Sequence, residues 1–175
     1  MRFWDPLVRL SHWALVAALT LAWFSGEEAL RRHEIAGYAA LTLVAIRAVW
    51  GFCGGRYARF SQFVRSPVQV WRYARDMACG AEVRHVGHNP LGGWMIVVLM
   101  LGVAAVGLSG WLYTLDAYWG IAWLEWLHRA LAWALVALAG LHVAGVAWAS
   151  WRHRENLVAA MLSGRKAPPR GNDVA

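Results

Sequence analysis

Four of the seven histidines in this chain, His12, His33, His128 and His142, stand within or at the start of long apolar stretches. An ionisable ring at membrane depth is costly, and it marks a functional site unless a neighbouring helix simply binds it. His128 and His142 are fourteen residues apart. On an α-helix that is about 21 Å of rise and within about 40° of one face. A single helix would then present one imidazole at each of two levels. His12 and His33 open two other apolar stretches, and consecutive stretches that cross a bilayer alternate in direction. The levels match one way only: His12 with His142, and His33 with His128. Two pairs of facing imidazoles stacked across a bilayer suit two six-coordinate haem irons, because iron in a porphyrin takes axial histidines and helical bundles build such sites from facing helices. Zinc would need further cysteine, histidine or carboxylate ligands at each level. A proton relay is compatible with the residues but does not require matched pairs.

The elements that must hold these rings are legible in the composition. The chain has 175 residues, of which 59% are hydrophobic and 15% charged, with 13 tryptophans. A single soluble domain of this size cannot hide so much apolar surface, so a lipid environment is expected. The net charge of +7 does not signify nucleic acid, because the charges cluster between the apolar spans. Cys53 and Cys79 form no Cys-x-x-Cys pair, which argues against covalent haem attachment and a zinc site. Apolar spans are expected at about 7–25, 35–52, 91–113 and 121–150, each near or above the ~20 residues that cross a hydrocarbon core. Tryptophans 4, 23, 50, 94, 119 and 151 near the span ends suit interfacial belts. Asn89-Pro90 is an N-cap and first-turn pair for the third span. The first span shows no small-residue cleavage site and reads as a retained helix. Residues 1–164 thus form one all-α, four-helix transmembrane domain, and the Pro- and Gly-containing segment 165–175 is expected to be a disordered tail.

Basic residues set the expected orientation. Arg2 and Arg9 precede or open the first span, Arg56, Arg59, Arg65, Arg72, Arg75 and Arg84 occupy the long connection, and Arg152, Arg154, Arg165, Lys166 and Arg170 follow the fourth span. The other two connections hold Arg31 and Arg32 beside Glu27, Glu28, Glu34, Asp116 and Glu125. The positive-inside rule then puts both termini and the long connection in the cytoplasm. His12 and His142 fall at the inner level and His33 and His128 at the outer one. Within the long connection, Ser66-Pro67 starts a candidate amphipathic helix with Val70, Trp71, Ala74 and Met77 on its apolar side. It is expected either to lie on the inner membrane surface or to be an ordinary solvated segment.

Other residues fit around the haems. Gly37, one turn beyond His33, would let a porphyrin approach, and Gly92, Gly93, Gly102, Gly107 and Gly110 would allow close helix packing in the third span. Arg47 lies fourteen residues after His33, on the same face but at the inner level. A buried arginine needs an anion, and a propionate of the inner haem is the candidate. Arg9 would assist there, and Arg129 with Arg31 or Arg32 would serve the outer haem, unless these arginines only snorkel to the interface. His85, His88 and His153 belong at the inner interface, and His88 is a candidate proton-handling group for a bound quinone or else a surface histidine.

These residues also resemble a known family. Trp4-Asp5-Pro6 with Arg9-Leu10-Ser11-His12-Trp13, His33-Glu34-x-x-Gly37 and Arg47-x-x-Trp50-Gly51 are similar to the prokaryotic cytochrome b561 proteins and the related b-type cytochrome subunits of nickel–iron hydrogenases. The runs Arg56-Tyr57-Ala58-Arg59-Phe60-Ser61, Ser66-Pro67 and Gly87-His88-Asn89-Pro90-Leu91-Gly92-Gly93 resemble the hydrogenase-type branch. The resemblance spans nearly the whole chain. It implies a bacterial inner-membrane cytochrome with two haem b groups, ligated by His12, His33, His128 and His142, that exchanges electrons with the quinone pool. The chain departs from the hydrogenase subunits in its short length and brief periplasmic connections. Three functions follow from the resemblance: an electron conduit to a periplasmic redox protein such as a c-type cytochrome; an enzyme that oxidises superoxide and reduces quinone; and a membrane anchor for a hydrogenase or other periplasmic oxidoreductase.

Overall fold

The computed structural model describes residues 5–26, 29–55, 58–81, 83, 85 and 87–165. The expected disordered tail therefore lies, from residue 166 onward, outside the described residues, as do Arg2, Trp4, Glu27, Glu28, Arg56, Tyr57 and Arg84. Seven helices make up the described elements: α1 (Pro6–Ser25), α2 (Leu30–Cys53), α3 (Phe60–Phe63), α4 (Pro67–Ala78), α5 (Pro90–Tyr113), α6 (Ala122–Arg152) and α7 (Leu157–Ser163).

Helix starts follow the local chemistry. Asp5 Oδ1 accepts from Leu7 N at 2.8 Å ahead of Pro6, and Asn89 Oδ1 accepts from Gly92 N at 2.6 Å ahead of Pro90. In each case a side-chain oxygen satisfies an orphan amide while proline occupies a position that needs no donor. Ser66 and Gln69 form a reciprocal capping box before Pro67. At the far end of α6, Arg154 turns left-handed with φ 50°, and Glu155 N closes back onto Ser150 O at 3.0 Å.

α1, α2, α5 and α6 are long and apolar enough to cross a membrane, and no more than 22% of the most apolar window of any of them is buried within the chain. Their apolar surface faces outward. Water cannot satisfy that surface but lipid can, and each helix satisfies its own backbone internally. At 31 residues, α6 is about 46 Å long and exceeds the ~30 Å hydrocarbon core.

The chain divides into two compact units. The first comprises residues 1–9, 49–97 and 141–175, and the second comprises 10–48 and 98–140. The second unit has a core of Ala40, Val44, Val103 and Leu135, with Leu15, Leu19 and Leu99 among the residues packed on it. Glycines let α5 approach its neighbours. A Cβ on Gly102 would lie 3.2 Å from Leu135 Cδ1, and one on Gly107 would lie 3.1 Å from Leu41 Cδ1. These are tight helix–helix contacts of the kind small residues permit.

The first unit is held by short links between loop and helix ends. A Cβ on Gly51 would overlap the Phe60 ring, and one on Gly93 would overlap the Phe63 carbonyl. Arg59 Nε donates to Gly54 O at 2.8 Å, Trp94 Nε1 donates to Arg65 O at 2.8 Å, and Trp50 Nε1 donates to Asp5 Oδ2 at 3.3 Å. In α4, Tyr73 is buried, and Val70, Ala74 and Met77 are half-buried. Trp71, expected on the apolar side, is 73% exposed. The reason is rotational: at ~100° per residue Val70, Tyr73, Ala74 and Met77 share one stripe, and Trp71 falls off its edge.

Candidate functional site

His33 is the fourth residue of α2 and belongs to the second unit. Its Nδ1 lies 2.8 Å from Ala22 O. Ala22 is in the last turn of α1, where carbonyls lack a partner further along the helix. His128 rises from α6 in the same unit. Its Nδ1 lies 3.0 Å from Ser109 Oγ and 3.1 Å from Val106 O, both on α5. A backbone carbonyl can only accept, so Nδ1 of each ring donates and Nε2 is the nitrogen left for a metal.

These two rings come together. Their centroids are 5.9 Å apart and their planes meet at 81°. Metal–imidazole bonds are about 2 Å long, so two histidines on opposite sides of one haem iron have ring centres about 6 Å apart. The separation fits, the free nitrogens are the ones iron needs, and Nδ1–H bonded to backbone carbonyl is the outer support that orients metal-bound histidine. Among the described residues no three His, Cys, Asp or Glu side chains cluster as a metal-ion site. Two facing imidazoles are the protein ligands that an iron already held by a porphyrin takes.

Gly110 makes the seat for His128. A Cβ there would lie 3.0 Å from the ring's Cε1 and 3.3 Å from its Nδ1. Ser109 and the Ala22 and Val106 carbonyls were not among the expected site residues, and Gly110 was expected only as a packing glycine. Backbone acceptors leave no trace in a sequence. The available signal was one face of α5, where Val106, Ser109 and Gly110 recur at helical spacing.

The other expected site residues are placed as follows. His12 is half-buried in the second unit, edge-on to Trp13 with centroids 5.1 Å apart, and His142 is half-buried on the part of α6 that belongs to the first. Arg47 is half-buried on α2 in the second unit. A Cβ on Gly37 would meet nothing within 4 Å, so there is open space beside that turn. Arg9 Nε donates to Met161 O at 3.1 Å and its Nη2 donates to Leu162 O, so this guanidinium holds the last carbonyls of α7. A Cβ on Gly164, which caps α7 with φ 75°, would run into the same group. Arg129 is exposed and ion-paired with Glu125 at 3.0 Å. His88 lies in the first unit, half-buried, with its ring centroid 4.9 Å from that of Phe63. His85 Nδ1 is 3.0 Å from Val83 O, and its ring stands edge-on to Tyr73. Also in the first unit is a groove of about 460 Å³ along the end of α6, with Val143, Val146, Trp151 and Arg154 in its wall.

Four long apolar helices and an imidazole pair with its carbonyl supports define a multi-pass helical membrane protein with the ligand chemistry of a haem site. The sequence model of the prokaryotic cytochrome b561 family matches residues 3–164, and the chain belongs to that family. Neither a curated protein nor a solved structure matches it significantly. It is thus a membrane b-type cytochrome in electron transfer.

Proposed function

We propose that the chain holds two b-type haems and carries electrons across the bacterial inner membrane between the quinone pool and a periplasmic redox partner, with both termini in the cytoplasm. The observation that carries this is the His33–His128 pair, 5.9 Å between ring centres with both Nδ1 atoms engaged by main-chain carbonyls. Haem, when bound, supplies reversible one-electron iron chemistry. The protein's part is to fix the ligand nitrogens, exclude water and balance charge.

His33 and His128 would hold the outer haem through Nε2. His12 and His142 would hold the inner one, with Arg47 as the cation at the same level that could face a propionate. Arg9, engaged with the α7 carbonyls, offers the inner haem less than Arg47 does. Positive charge on the long connection and after α6 supports the cytoplasmic assignment of both termini. Quinone would meet the inner side, where His88 is the candidate proton-handling group. Arg129, neutralised by Glu125, gives little attraction to an anion such as superoxide, and this favours the conduit over direct superoxide oxidation.

The test is a reduced-minus-oxidised spectrum of the purified protein together with its haem-to-protein ratio. A b-type spectrum and a ratio near two are expected. A ratio near one, or a wild-type spectrum after replacement of both His128 and His142, would refute the assignment.

A further inference from the structure

Given the haem assignment above, we propose that Ser109 is a positioning residue that sets the plane of the His128 imidazole and holds it crosswise to His33. A single acceptor constrains the plane of an imidazole less than two acceptors do. His33 is anchored by one carbonyl at 2.8 Å. His128 is held differently. Its Nδ1 faces two oxygens, Ser109 Oγ at 3.0 Å and Val106 O at 3.1 Å, and Ser109 Oγ itself donates to Val106 O at 2.9 Å. The three atoms form a nearly equilateral triangle. A proton shared between two acceptors lies best when both are close to the plane of its own ring, so the triangle selects one plane for the imidazole.

Two further features make the triangle rigid. Ser109 is only 5% exposed, and its hydroxyl bonds back to the third residue before it, a common habit of serine in apolar helices. Gly110 offers the ring a flat side, where any Cβ would crowd Cε1 at 3.0 Å. The result is an interplanar angle of 81° with His33. Crossed axial planes leave the two π-symmetry d orbitals of a ligated iron nearly equal in energy, whereas parallel planes split them. Low-spin ferric haem with crossed ligands gives a highly anisotropic electron paramagnetic resonance signal, and splitting the orbitals moves that signal toward the ordinary rhombic class.

The experiment is frozen-solution resonance spectroscopy of the oxidised, full-length protein, with haem content measured on the same samples. The wild type should show a highly anisotropic low-spin signal. Ser109→Ala should shift the largest g value of that signal downward while the signal of the other haem stays in place as an internal reference. Ser109→Thr, which keeps the hydroxyl, should match the wild type. Loss of this haem in Ser109→Ala but not in Ser109→Thr would also support the role. An unmoved signal at full haem content in Ser109→Ala would overturn it, as would equal haem loss in both variants, which would mark Ser109 as packing alone. A wild type with no low-spin bis-imidazole signal would instead sink the haem assignment itself, and this inference with it.

Discussion

Replacing Gly110 with alanine puts the proposed ligand set under a calculable load. The new carbon would sit 3.0 Å from His128 Cε1 and 3.3 Å from Nδ1. Carbon contacts are optimal at about 3.5–4.0 Å, so the ring must retreat by about 0.5–1 Å. It cannot do so and keep oxygens at 3.0 and 3.1 Å on the same nitrogen, because a contact stretched to about 3.6 Å is no longer a hydrogen bond. Overpacking costs about 1–3 kcal/mol, and a lost hydrogen bond adds about 1 kcal/mol. Helix propensity works the other way, favouring alanine by about 1 kcal/mol. The balance is about 1–3 kcal/mol against the variant, which corresponds to roughly 5–150-fold weaker retention of the haem at His33 and His128. The assay is the rate and extent of haem transfer to an excess of an apo-haem protein, followed by absorbance. Gly110→Ala should give up the haem proposed at His33 and His128 much faster than the wild type. Gly140→Ala is the matched control, because Gly140 is exposed on α6 and a Cβ there meets nothing within 4 Å. If Gly110→Ala holds its haem as firmly as this control, the account of the His128 seat is wrong.

Two other perturbations test separate parts of the structure. Arg47→Leu should lower the midpoint potential of the proposed inner haem and loosen it, since removing a cation favours ferric over ferrous iron; an unchanged potential in a redox titration excludes the propionate contact. In α4, Tyr73→Ala should lower the melting temperature in detergent markedly, by an amount consistent with the roughly 3–5 kcal/mol typical of a buried aromatic. Trp71→Ala should stay within about 0.5 kcal/mol of the wild type, and equal losses would show that the helix is docked by its other side.

Much of the scaffold was legible because membrane spans obey composition. The spans expected at 7–25, 35–52, 91–113 and 121–150 fall within a few residues of α1, α2, α5 and α6, with α2 starting earlier because Arg31, Arg32, His33 and Glu34 are good enough helix formers to begin before the apolar run. The Asn89 cap was readable for the same kind of reason, since Asn-Pro ahead of an apolar run has few other uses. Trp71 is exposed beside the buried stripe of α4, because the stripe of a short amphipathic helix is narrow and an aromatic at its edge need not pack on the chain itself.

The residues that make the chain recognisable and those that support its chemistry are largely different. Asp5, Trp50, Gly51, Phe60 and Gly93 sit in the quoted motifs, and in the structure they lock loop to helix ends: Asp5 binds Trp50, Gly51 admits the Phe60 ring, and Gly93 admits the Phe63 carbonyl. All of them belong to the first unit. The supports of the paired imidazoles are two main-chain carbonyls, one serine hydroxyl and the empty side of a glycine, all in the second unit. A carbonyl can be supplied by any residue type, so its role cannot be read from side-chain identity. What selects it is the axial position of its helix, and that in turn depends on contacts such as Gly107 against Leu41 and Gly102 against Leu135. Substitutions at those packing glycines should therefore act on the haem site through the carbonyls they displace, although none of the substituted side chains touches a histidine.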